Sequence, residues 1–112
     1  YDRNSVVYTG THDNDTTVGW YSKAKAEDKK WVKDYLDLND DTHIHWNFIK
    51  SAWSSVANIA IAPIQDFLGL GGEARINTPG VAAGNWQWRL SDDVLTDELA
   101  EKISYITRMY GR

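Results

Sequence analysis

Two short apolar runs in this chain each lead into a carboxylate. Val6-Val7-Tyr8 gives way to Thr9-Gly10-Thr11-His12-Asp13-Asn14-Asp15-Thr16-Thr17, where a histidine and two carboxylates fall within four residues. Ile59-Ala60-Ile61-Ala62 gives way, past Pro63, to Gln65-Asp66. A carboxylate held at the end of a buried strand can act as acid, base, nucleophile or hydroxyl clamp. The plainer alternative for Asp13 is a loop cap, because Asp and Asn readily bond their own backbone. For Asp66 it is a cap on the following turn. Glu73 and Arg75 are two apart in a Gly-rich stretch, which in extended chain points both the same way. A loop-bracing ion pair is the reading favoured there.

Other combinations are weaker. His43-x-His45 suggests a metal site, but residues two apart at the start of a helix do not face together. His12, Asp13 and Asp15 make an incomplete ligand set, so no metal or cofactor is expected. Gly69-x-Gly71-Gly72 lacks both the Lys-Ser/Thr of a P-loop and the spacing of a dinucleotide fingerprint.

The elements that must position these groups follow from periodicity. Ser5 to Tyr8 reads as a strand and Thr9 to Thr17 as a polar loop. Ala26 to Leu36 reads as a helix with Trp31, Val32, Tyr35 and Leu36 on its inner face. Asn39 to Thr42 is a turn, and Asp41 or Thr42 is expected to cap the helix that follows. That helix, Ile44 to Val56, carries an apolar stripe of Ile44, Phe48, Ile49, Ala52, Trp53 and Val56. Ile59 to Ala62 reads as a parallel strand buried on both faces. A long Gly-rich loop then leads to a last helix, Asp97 to Tyr110, capped by Thr96 with Leu99, Ile103, Ile106 and Tyr110 facing inward. Gly111 and Arg112 read as its stop signal.

The order βαβα implies an α/β fold with a parallel sheet. Two parallel strands cannot make a stable sheet alone, and a (β/α)8 barrel needs about 250 residues. The 112 residues are therefore expected to be the last two βα units, the C-terminal portion of a (β/α)8 TIM barrel, with no separate second domain. An opening at Tyr1 without an initiator Met agrees with a piece of a longer polypeptide.

Composition narrows the function. A net charge of −4, with no basic run longer than Lys29-Lys30, argues against nucleic acid. No apolar run approaches the roughly 20 residues of a membrane span, and no signal peptide is visible. The absence of cysteine excludes disulfides and thiolate metal sites and allows a reducing cytosol. Six Trp and six Tyr against two Phe favour surfaces that are packed on one side and wet on the other, as a carbohydrate groove is.

Tyr8-Thr9-Gly10-Thr11-His12-Asp13-Asn14-Asp15-Thr16-Thr17, the stretch from Pro63 to Gly80 (PIQDFLGLGGEARINTPG), and Gly84-Asn85-Trp86-Gln87-Trp88-Arg89 together resemble the 4-alpha-glucanotransferases of glycoside hydrolase family 77. These are the amylomaltases, called disproportionating enzyme in plants. The resemblance runs to Arg112. It implies an amylase-type (β/α)8 barrel that cuts an α-1,4-glucosidic bond and passes the glucan to the 4-hydroxyl of another, by a retaining mechanism without cofactor. It also implies a cytoplasmic protein, or a plastidial one in a plant. In the family the nucleophile and acid/base carboxylates come from earlier strands, which these residues do not include, so the chain alone is expected to be inactive. Asp13 matches the family's transition-state-stabilising aspartate. His12 and Asn77 match residues that contact sugar. Asn14, Gln65 and Asp66 are expected to order the loops behind them. Two other readings stay open: a non-catalytic carbohydrate-binding module, and an α-glucan hydrolase on the same barrel.

Overall fold

The computed structural model describes residues 2–112. The elements run β1 (Val6–Tyr8), α1 (Thr17–Lys23), α2 (Ala26–Tyr35), α3 (Ile44–Trp53), β2 (Ile59–Ile61), α4 (Ile64–Leu68), a 3-10 turn over Gly72–Ala74, and α5 (Asp97–Met109). The two strands pair in parallel with Val6 opposite Ile59, Val7 opposite Ala60 and Tyr8 opposite Ile61. Parallel neighbours need a crossover, and α1 to α3 supply it.

Local chemistry sets most boundaries. The Thr16 hydroxyl accepts from Gly19 N at 3.0 Å and starts α1. Ala24 and Lys25 are both extended, which breaks α1 from α2. Glu27 and Asp28 in the first turn of α2, and Lys33 in its last, oppose the helix dipole. The expected cap of α3 is not made by Asp41 or Thr42: His43 holds that place with no side-chain cap. Asp41 accepts instead from the Tyr21 hydroxyl at 2.9 Å. Burial and that bond raise the Tyr21 pKa. Thr42 N donates to Asp40 at 3.0 Å. The Thr96 hydroxyl accepts from Leu99 N at 3.1 Å and caps α5 as expected.

α3 is buried on two sides. Trp46, Ile49, Ala52 and Trp53 pack with Ile106 of α5, and Phe67 meets the Trp46 and Trp53 rings edge-on. Ile44 joins Tyr21 and Val32 toward α1 and α2. Trp53 Nε1 donates to the Thr107 hydroxyl at 3.1 Å. The Arg112 guanidinium closes the arrangement by donating to the carbonyls of Trp53, Ser55 and Ala57, each at 2.8 Å. Val56 falls beyond the end of α3 and is exposed.

Two expectations about burial fail. β2 is not buried on both faces. Alternate strand residues point to opposite sides, so Val7 and Ala60 meet the helix layer while Val6, Tyr8, Ile59 and Ile61 lie 43–52% exposed on the other side. On α2, Val32 is buried but Trp31 and Tyr35 are exposed and stack on each other, with centroids 5.1 Å apart. Two aromatics four apart on a helix cover each other without entering a core. Among the described residues, no helix is long and apolar enough to cross a membrane.

Candidate functional site

A cleft of about 530 Å³ opens where both strands end, lined by Tyr8 and Ile61 and by the loops that follow them, including His12, Asp13, Gln65 and Arg75. The loop after β1 enters it through a tight polar turn. The Asn14 side-chain oxygen accepts from Thr11 N at 2.8 Å and from the Thr11 hydroxyl at 3.0 Å. That turn lifts Asp13 clear of the surface, its side chain 54% exposed. Asp13 Oδ1 accepts from Asn77 Nδ2 at 2.8 Å and lies 3.3 Å from His12 Nε2. An exposed carboxylate with one oxygen fixed by its neighbours keeps acceptor capacity for a ligand.

Asp66 is the opposite case. It is 2% exposed. Its Oδ2 accepts from the Thr9 hydroxyl at 2.7 Å and its Oδ1 from Thr17 N at 2.8 Å. It therefore joins the two ends of the loop that carries Asp13. Gln65 Nε2 donates to the Ala74 carbonyl at 3.3 Å, folding the second loop back on α4. Asp15 also lines the cleft, but its Oδ1 accepts from Thr16 N at 2.8 Å and its other oxygen is 3.6 Å from Lys23 Nζ. Behind Asp66, His45 Nδ1 bonds the Asp66 carbonyl at 2.8 Å. Burial holds the His45 pKa below the usual histidine range. Gly69 turns with φ +68 against the His45 ring, where a Cβ would sit 2.8 Å from Nε2. His43 is exposed, so the two histidines do not converge. Among the described residues no cluster of three or more His, Asp and Glu side chains could hold a metal.

The Glu73–Arg75 brace is not formed. Glu73 turns back to accept from Gly71 N at 3.0 Å. The 3-10 turn over Gly72–Ala74 removes the extended geometry that would have aligned the two side chains. Arg75 Nε donates to the Asn77 carbonyl at 2.9 Å and its Nη2 to the Asp13 carbonyl at 3.0 Å. Trp86 also belongs to the neighbourhood. It adopts φ 63, donates its N–H to the Ile76 carbonyl at 2.6 Å and sets its ring 5.3 Å from that of His12. Sequence reasoning did not connect Arg75 or Trp86 to Asp13. The Arg-x-Asn spacing in a loop after a strand is the available signal for the first, and for the second it is the Gly84–Arg89 motif of the resemblance, which names Trp86 without placing it.

Residues 1–96 match a protein-family model described as 4-alpha-glucanotransferase. The chain is 54% identical to a 4-alpha-glucanotransferase of Synechocystis over 97% of its length, and 50% identical to that of Clostridium butyricum over all of it. A chloroplastic/amyloplastic relative from Arabidopsis thaliana is 42% identical over the whole chain. Each alignment takes in only 20–23% of the relative, so the chain spans about a fifth of the length of the curated relatives it matches. Among solved structures, an amylomaltase from Streptococcus agalactiae in complex with acarbose superimposes with a TM-score of 0.93 at 30% identity, over 100% of this chain and 23% of that one.

Proposed function

The chain belongs to the 4-alpha-glucanotransferase family, and we propose that it forms the last two βα units of a (β/α)8 barrel that transfers α-1,4-glucan segments. The acceptor is the 4-hydroxyl of another glucan or of glucose. The observation that carries this reading is the placement of Asp13. It is an exposed carboxylate at the carboxyl ends of two parallel strands, held by Asn77 and flanked by His12. In a barrel that end is where substrates bind.

A retaining transfer needs a nucleophilic carboxylate and an acid/base carboxylate about 5–5.5 Å apart. Polypeptide outside these 112 residues would supply both, and the remainder of the barrel is thus the chain's obligate partner. Asp13 contributes a different effect. As the reacting glucose flattens toward an oxocarbenium-like state, its hydroxyls shift, and a fixed carboxylate that grips them more tightly then than before lowers the barrier. His12 donates to hydroxyls of the same ring. Asn77 spends its N–H on Asp13 and offers its carbonyl oxygen to sugar. Asn14, Gln65 and Asp66 hold the loops. The displacement runs between carboxylate, anomeric carbon and hydroxyl, and calls for no metal or cofactor. We place the protein in the cytoplasm, or in the plastid for a plant source.

Product analysis of the complete polypeptide tests the reading. Maltotriose should yield glucose and a ladder of longer glucans at constant reducing-end count. Reducing ends that rise with time would mean hydrolysis. Sugar binding without any turnover would mean a binding module.

A further inference from the structure

Asp13 sits on an exposed loop, and a transition-state clamp must be held to within a fraction of an ångström. Its own loop closes a tight turn around it, with Asn14 N on the Thr11 carbonyl at 3.1 Å and Asp13 N on the Thr11 hydroxyl at 3.4 Å, but those bonds take the Asp13 N–H and not its carbonyl. The roots of the loop are held through Asp66, four residues away on either side. What holds the tip comes from the loop after β2. Arg75 reaches across the cleft with its Nη2 on the Asp13 carbonyl at 3.0 Å, while its Nε holds the Asn77 carbonyl at 2.9 Å.

We propose that Arg75 is the positioning residue of this site: one guanidinium grips the main chains of Asp13 and Asn77 and fixes the two side chains in register. The Asn77–Asp13 side-chain bond of 2.8 Å is the outcome of that register. A planar guanidinium with donors diverging from one carbon suits two carbonyls on different loops. A Lys ammonium on a flexible stem does not reproduce that fork. The rest of the second loop keeps its shape without Arg75. Gln65 holds Ala74 and Glu73 holds Gly71 N, both upstream of it, and the Asn85 side chain bonds Thr78 N and the Val81 carbonyl downstream. Loss of Arg75 should therefore disturb the register of Asp13 rather than the fold.

The proposal rests on Asp13 acting as assigned above. In the complete transferase, Arg75→Ala and Arg75→Lys should each lower kcat on maltotriose about 100-fold, the scale of a small misplacement in an active site. KM and Tm should stay close to those of the parent protein. Millimolar guanidinium should restore part of the kcat of Arg75→Ala and do nothing for Arg75→Lys, whose stem fills the space. Wild-type kcat in either variant overturns the proposal. So does full activity in Arg75→Lys alone, because charge would then suffice, and so does a kcat loss that tracks a fall in Tm and resists guanidinium. Asp13→Asn run alongside separates the two ideas. If it too is fully active, the reading of the site has failed; if it is inactive while Arg75→Ala is active, only the clamp has failed.

Discussion

Two aspartates follow the two strands of this molecule, and they have opposite fates. Asp13 ends up 54% exposed in its side chain, with one oxygen fixed by Asn77. Asp66 is 2% exposed, with each oxygen taken up by a partner from the other loop. Both sit where a parallel sheet delivers functional groups. The difference shows that place in the fold nominates a carboxylate and its remaining acceptor capacity decides its work. A carboxylate whose lone pairs are consumed by a threonine hydroxyl and a backbone N–H braces the loop. One that retains them can meet a ligand.

That contrast can be broken by substitution. Asp66→Ala should have the largest effect on stability. It strands the buried Thr17 N–H, at about 1–3 kcal/mol, and frees the half-buried Thr9 hydroxyl, which water can reach at lower cost. Chemical denaturation of the complete protein should show a loss of that size, and an unchanged midpoint would remove Asp66 from its bracing role. Away from both aspartates, Thr96→Ala should cost about 1 kcal/mol by removing the α5 cap. It should leave transfer kinetics untouched, which thermal melting and initial rates together would check.

A pH-dependent effect probes the Asp66 side of the comparison. Burial lowers the His45 pKa, partly opposed by its bond to the Asp66 carbonyl, and Lys102, His43 and Asp66 are the charged or titratable groups acting on it. The unfolded chain takes up this proton near the ordinary value of about 6.5, whereas the folded chain does so only at lower pH. Unfolding therefore binds the extra proton in that interval, and stability must fall as pH drops below about 6.5. Tm measured from pH 7.5 to 5 should decline less steeply in His45→Gln than in the parent protein. Parallel curves would show that His45 does not couple folding to pH.

Sequence made the frame of this comparison readable but not its content. α5 was legible because its signals are local: Thr96, the acids Asp97 and Glu98, and apolar residues at helical spacing. The parallel strands were legible from short β-branched runs separated by helical stretches. α1 carries no sequence signal beyond the polar loop that ends at Thr17, because Thr17, Val18 and Gly19 are poor helix formers and its cap Thr16 lies inside the polar run. α4, at five residues, is too short for a periodic signal. Asp13 stood out through the resemblance of the whole motif. The partners of Asp66 could not be read, since Thr9 and Thr17 lie 57 and 49 residues away and only tertiary folding brings them together. Spacing offers Arg75 its sequence neighbour Glu73, whereas its contacts are the Asn77 carbonyl and, 62 residues off, the Asp13 carbonyl.

The smallest stability effect belongs to Asp13. Surface substitutions outside a packed feature usually stay within about 0.5 kcal/mol, so Asp13→Asn should leave the denaturation midpoint of the complete enzyme in place. The decisive measurement is the kcat of that variant in maltotriose disproportionation, set beside its Kd for the same sugar. Turnover should fall at least about 10²–10³-fold, the scale for loss of one preorganised electrostatic contact in a transition state, with Kd shifted less than about tenfold. Turnover near that of the parent enzyme, or a loss confined to Kd, would contradict the role assigned to Asp13.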